Sequence, residues 1–335
     1  MIWPQLACPD CRTRLGPSEV DARPELRCEA CGRVYRRTPR PVSEADSASG
    51  LLATDPAPPG PSAWDFRPTT PRIQRFLSEY EAVRAAEGRG RDVAMLRDLP
   101  WPDPGHPLAW EWYIRAASFD CLVEQVLSLD PGIGLRVLDL GAGQAWLSRR
   151  LALLGHRPVA VDLSSHPTLG LGAAGLLQAD LPAPFPTLLA DFDRLPLADH
   201  QADLVVYNAS FHYSSDYGDS LREALRVLAP GGRIVIMDSP VYRDAAAGAA
   251  MRSGRRSDYL SRYGFASDAL DSREFLAVTE IHELGRQLGL TWTWISPRHG
   301  RSWRWHRLRR RLATGRESAD FPLLLAHPSS DRAPA

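Results

Sequence analysis

Residues 136–146 read RVLDLGAGQAW: an apolar run interrupted by Asp139, then two glycines one residue apart. Short β-branched and leucine-rich runs of this kind are strands, and G-x-G at their end is a tight turn into a helix. The surrounding chain repeats the pattern. PVAVDL (158–163), TLLAD (187–191), ADLVVYN (202–208) and GRIVIMD (232–238) read as strands. AWLSRRLALLGH (145–156) and DSLREALRVLAP (219–230) read as helices between them. Alternation of strand and helix predicts an α/β fold, a doubly wound, mostly parallel sheet with helices on both faces. In such a sheet ligands bind at the carboxyl ends of the strands, where the strand order reverses.

Gly141 and Gly143 allow positive φ and close approach of a ligand to the backbone. A dinucleotide fingerprint needs a third glycine where this chain has Trp146. A carboxylate at Asp139 would repel a phosphate and suits a cationic amine. S-adenosylmethionine carries such an amine and no phosphate. Asp162 ends the second strand 21 residues after Gly141, a spacing at which an acid reaches ribose hydroxyls. Asp191 and Phe192 end the third strand, where the carboxylate accepts from an adenine amine and the Phe192 N–H donates to a ring nitrogen. Singly, each acid reads more readily as a solvated loop carboxylate; three at successive strand ends point to a site.

VLDLGAGQAW, VAVDLS, ADFDRLPLADHQADLVVYNASFHY and LREALRVLAPGGRIVIMDSP resemble the successive motifs of class I S-adenosylmethionine-dependent methyltransferases, in particular the quinone-biosynthesis-like, methyltransferase type 11 group. The resemblance covers residues 108–240 through its motifs and the chain to about 327 by element order. It implies a seven-stranded Rossmann-like sheet, with TWTWISP (291–297) and FPLLLAHP (321–328) as strands six and seven, the last antiparallel beside the fifth. It implies cofactor contacts from Asp139, Gly141, Ala142 and Gly143 in the first turn, and from Asp162 and Leu163 after the second strand. Asp191, Phe192 and Asn208 complete that set. Ala145 stands where the family often has glycine.

The 335 residues carry equal numbers of acidic and basic side chains, 40 of each, so no net field marks nucleic acid or membrane as a partner. Every basic residue is arginine, which fits a G+C-rich source. No signal peptide or transmembrane run is apparent, and a cytoplasmic protein is expected. Cys8, Cys11, Cys28 and Cys31 form two C-x2-C pairs with sixteen residues between, the spacing of a structural zinc site; two disulfides are the competing reading. This segment is similar to the small zinc ribbon that partners or fuses with RNA and protein methyltransferases. The expected organisation is a zinc ribbon over 1–38, a proline-rich linker over 39–71, a helical connector over 72–107 and the catalytic domain over 108–335. Cys121 lies in an apolar helical stretch and reads as core.

The residues after the fourth strand border the transferable methyl group in the resembled fold. His212 is the expected general base, with Asn208 and Tyr213 beside the acceptor; packing or turn roles are the plain alternatives. Tyr242 is a candidate pocket wall. From Arg298 to Arg316 the chain holds eight arginines, two histidines and two tryptophans without an acid. That run suits a phosphate-bearing acceptor, anionic lipid, or a solvated helix whose Trp303 and Trp305 pack on the sheet. The function expected is O- or N-methylation of a small-molecule or lipid- or glycan-linked acceptor. An RNA methyltransferase using the ribbon and the arginine run is the alternative, and a non-catalytic S-adenosylmethionine-binding module the second.

Overall fold

The computed structural model describes residues 3–20, 23–38 and 63–329; most of the expected linker lies outside them. The amino-terminal segment forms three antiparallel strands, β1 (Leu15–Val20), β2 (Arg23–Cys28) and β3 (Val34–Arg37). A two-residue strand, β4 (Trp64–Asp65), follows. Helices α1 (Pro71–Ala86), α2 (Val93–Asp98) and α3 (Ala109–Gln125) lead into the sheet. Proline at the first turn of α1 is tolerated because its missing N–H has no intrahelical partner there, and the Thr70 side chain accepts from the Ile73 N–H at 3.3 Å.

The central part alternates as expected: β5 (Arg136–Leu140), α4 (Trp146–Leu153), β6 (Arg157–Asp162), α5 (Ala174–Gln178), β7 (Thr187–Leu189), β8 (Ala202–Asn208), α6 (Tyr217–Val227) and β9 (Leu228–Met237). After a short β10 (Val241–Tyr242) and α7 (Ala245–Tyr263) come β11 (Leu276–Ala277) and α8 (Val278–Leu288). The described chain closes with β12 (Leu290–Ile295), α9 (Gly300–Thr314) and β13 (Leu323–Pro328).

The main sheet has the order β1-β2-β3-β4-β7-β6-β5-β8-β9-β13-β12. Strands β4 to β9 within it run parallel, and β13 lies antiparallel between β9 and β12. The expected count of seven is therefore corrected to eleven. The additional strands are the three of the amino-terminal segment and β4. Trp64 and Asp65, read from the sequence as linker, pair with Arg37 and Arg36 on one side and with Leu188 and Leu189 on the other. The order reverses between β5 and β8, which places the ligand crevice at the carboxyl end of β5.

β5 forms because Val137, Leu138 and Leu140 are fully buried between helical layers, the pattern of a strand covered on both faces. The amino-terminal segment shares the core on one side of this sheet: Cys8, Leu15, Cys28, Tyr35 and Phe66 pack in the same cluster as Leu138 and Leu188. It is also held by polar contacts. Arg12 makes two hydrogen bonds, at 2.9 and 3.0 Å, to the buried carboxylate of Glu223 on α6. Among the described residues no helix is long and apolar enough to cross a membrane.

Candidate active site

The chain leaves β5 through Gly141 with φ of +72°. The Gly141 and Ala142 N–H groups both donate to the Val161 carbonyl, at 2.9 and 3.0 Å, which fixes the turn to β6. A β-carbon on Gly141 would overlap the side chain of Ser210 from the loop after β8, so this position requires glycine for space as well as φ. Ala145 closes the turn at φ 63° and is fully buried. Alanine in this left-handed conformation costs roughly 1–2 kcal/mol, an expense glycine would avoid.

Asp139 is fully buried behind this turn. Its Oδ2 accepts from the backbone N–H and the hydroxyl of Ser148, at 3.2 and 2.7 Å, while Oδ1 has no partner. Burial pushes the carboxyl up to about 7, against the Ser148 hydrogen bonds that lower it. Asp162 accepts from the N–H groups of Gly143 (2.8 Å) and Ser164 (2.7 Å), which joins the first and second strand ends directly. Burial raises its pKa, opposed by these backbone donors. Asp191 lies two residues beyond the end of β7 and accepts from the Asp193 N–H at 3.0 Å.

The strand ends enclose a narrow cleft. Gly141, Asp162, Leu163, Asp191, Phe192 and Tyr213 all line it, so six of the sequence-derived residues meet in one place. Ala142, Gly143, Asp139 and Asn208 do not line it. Helix α1 roofs the cleft with Phe76, Leu77 and Tyr80, leaving a cavity of about 90 Å³. Small-molecule sites usually offer about 300–1,000 Å³, several times this space.

A second cavity, of about 760 Å³, lies on the other side of the Phe211–Tyr213 turn. His212 and Tyr213 are adjacent rings with centroids 4.4 Å apart, yet His212 lines the large cavity and Tyr213 the narrow cleft. This turn is the partition between them. Buried His212, Asp238 and Glu274 face the large cavity, together with the expected wall Tyr242, and the more exposed Trp110, Trp303 and His306 line it farther out.

Electrostatics bear on the role expected of His212. Burial pushes it down to about 3, assisted by Arg255, Arg84 and Arg115. It is thus already neutral near pH 7, and a base this weak transfers protons poorly. No activity limb is expected in the histidine range, and a pH–rate profile of the His212→Ala variant should match the wild type in shape. Tyr213 behaves differently. Burial raises its pKa, but the Arg84 guanidinium, donating to the phenol at 2.9 Å, and Arg255 outweigh that and lower it.

Asp238, at the end of β9, is a site residue that the sequence reading passed over. It is buried, adopts φ 55°, and accepts from Ser118 at 2.6 Å through Oδ1 while Oδ2 has no partner. Its position at a strand end, in IVIMDSP, was the available signal. Asp193 also faces the cleft; burial and the neighbouring Asp191 push it up to about 7.

The four amino-terminal cysteines converge. Their sulfurs all lie within 4.8 Å of one another, with Cys8–Cys31 at 3.7 Å and Cys11–Cys28 at 3.3 Å, and none forms a disulfide. Four thiolates around zinc at 2.3 Å stand about 3.8 Å apart, so the donor set fits a tetrahedral ion. Cys121 is buried, and desolvation pushes its thiol up to about 11, as befits a core residue.

Residues 138–236 match a family described as methyltransferase domain. Over 115 residues the chain is 36% identical to demethylmenaquinone methyltransferase of Mycobacterium sp. (strain KMS), covering 34% of this chain and 46% of that protein. Over 106 residues it is 36% identical to malonyl-(acyl-carrier protein) O-methyltransferase of Yersinia pestis, covering 30% of this chain and 36% of that protein. The chain thus spans less than half the length of either relative. Among solved structures, an S-adenosylmethionine-dependent methyltransferase from Mesorhizobium loti aligns with a TM-score of 0.46 at 21% identity, over 63% of this chain and 97% of that one.

Proposed function

We propose that the protein is an S-adenosylmethionine-dependent methyltransferase whose narrow cleft holds the cofactor and whose large cavity holds the acceptor. The observation that carries this reading is the convergence of Gly141, Asp162 and Asp191 at three adjacent strand ends. In it, Asp162 takes the ribose hydroxyls, and Asp191 and Phe192 take the adenine. Asp139, raised by burial and with an unpartnered oxygen, accepts from the methionine amine, whose positive charge would favour its ionised form. Asn208, also with an unpartnered side-chain oxygen, stands beside them.

The cofactor supplies a methyl group on a sulfonium, ready for in-line displacement. The protein's task is alignment, since holding two reactants together removes much of the barrier. In this reading the two spaces meet at the Phe211–Tyr213 turn. An acceptor oxygen or nitrogen that took the methyl group would have to give up its own proton. In this reading Asp238, which lines the acceptor cavity and has an unpartnered Oδ2, takes that proton, and Tyr213, paired with Arg84, stands on the cofactor side of the partition. The mixed aromatic and charged lining suits an amphiphilic small molecule or lipid-linked metabolite. Incubation with methyl-labelled cofactor and fractionated cell extract should label the small-molecule or lipid pool; label confined to RNA would overturn the acceptor class.

The cysteine cluster holds a structural zinc in this account, and a closed shell of four thiolates leaves no open position for chemistry. Because this segment shares its core with the main sheet, chelation should lower the unfolding midpoint of the whole chain as one transition, and metal analysis should find one zinc per chain. Protein purified without chelator and free of zinc would contradict the assignment.

A further inference from the structure

Helix α9 carries the whole of the arginine run except Arg298, His299 and its last residues, and its outer face is unusual. Trp305, Leu308 and Leu312 are 56%, 45% and 76% exposed, so Trp305 does not pack on the sheet as the sequence suggested. At about 100° per residue these three form one stripe along the helix. Arg301 falls within the stripe, Arg309 on one flank, and Arg304 and Arg311 on the other. All four are exposed, and from Ser296 to Arg316 the chain has no acid. The opposite side of the helix is anchored: Trp303 packs against Phe321 and Trp110, with ring centroids 5.7 and 6.5 Å away, and Arg307 pairs with Asp320 at 3.0 Å.

We propose that α9 is a membrane-surface helix that docks the protein on an anionic phospholipid bilayer. A row of aliphatic and indole side chains bordered by arginines has the chemistry of the bilayer interface: apolar groups below the headgroups, guanidinium groups at the phosphates. Two exposed leucines in the stripe favour lipid over RNA, which is read by guanidinium and aromatic planes and gives aliphatic groups nothing to stack on. The patch continues beyond the helix. Trp110 and Tyr113 are 42% and 43% exposed and stacked at 5.8 Å, and Trp110 lies 5.9 Å from the His306 ring. Trp110, Trp303 and His306 also line the 760 Å³ cavity. Docking through this face sets that cavity beside the bilayer. A lipid-borne acceptor for it rests on the proposed activity; the docking itself does not.

Sedimentation of the full chain with vesicles tests the docking without reference to activity. Phosphatidylcholine vesicles containing about a third phosphatidylserine should bind it, and pure phosphatidylcholine should bind it far less. The triple variant Arg301→Gln, Arg304→Gln, Arg309→Gln should bind about a hundredfold more weakly, at roughly fivefold per charge. Leu308→Ala with Leu312→Ala should lose about tenfold. All five positions are exposed, so unchanged thermal unfolding of the variants is the check that the fold is intact. Brominated lipid should quench the wild type more than Trp305→Phe. Wild-type protein left in the supernatant by anionic vesicles would overturn the proposal. So would variants that bind as the wild type does, or binding to bulk RNA with none to vesicles.

Discussion

Replacing Asp162 with alanine is expected to weaken S-adenosylmethionine binding roughly ten- to a hundredfold, the equivalent of about 1.5–3 kcal/mol for a lost charged hydrogen-bond partner. The residue does two things at once. It lines the cleft, and its two oxygens hold the Gly143 and Ser164 N–H groups that fix the first and second loops to each other. Asp162→Asn separates the roles, because an amide oxygen can still accept one of these bonds while the charge is gone. Calorimetric titration of both variants should show the alanine change as the larger loss. An alanine variant that binds the cofactor as tightly as the wild type would remove Asp162 from the site.

The second large effect is structural. Gly141→Ala places a β-carbon into Ser210 at φ +72°. Left-handed strain of about 1–2 kcal/mol adds to overpacking of about 1–3 kcal/mol, so a loss of roughly 2–5 kcal/mol is expected. That is a large share of the about 5–15 kcal/mol that holds a typical protein folded. Gly143→Ala is the matched control. It has φ +55° but nothing within 4 Å of the added carbon, so it should cost only the strain. Denaturant unfolding of the two variants should separate them clearly; equal midpoints would mean that the Ser210 contact yields easily.

The parallel strands were legible because each is a short apolar run whose local pattern and burial agree. Leu138 and Val205 illustrate this, being fully buried in strands read directly from the sequence. Asp162 and Asp191 were legible for the same reason, since each closes such a run. β4 was not. It is two residues long, and Trp64 and Asp65 become a strand only because β3 and β7 offer edges on either side. Pairing with distant partners leaves no local periodicity to read. Through that one short strand the three amino-terminal strands continue the main sheet.

His212 shows a second limit. Its position on the partition follows from element order, but its titration depends on burial first and then on Arg255, Arg84 and Arg115, which come from α7, α1 and α3. Residue type alone suggests a base active near neutrality; full burial, with three guanidinium groups from separate helices, pushes its pKa down. The large cavity is likewise assembled from α3, the end of β9, α7, and the chain around α9, elements that nothing in sequence order brings together. Asp238 could have been read, since it ends a strand as Asp162 does.

The most direct test of the account is calorimetric titration of the zinc-loaded full chain with S-adenosylmethionine, with NADH as the comparison ligand. Saturable one-to-one binding of S-adenosylmethionine, lost or much weakened in Asp162→Ala, and no detectable binding of NADH are the predicted results. Tight NADH binding, or no heat of binding with S-adenosylmethionine from a folded protein, would contradict the assignment of the cleft.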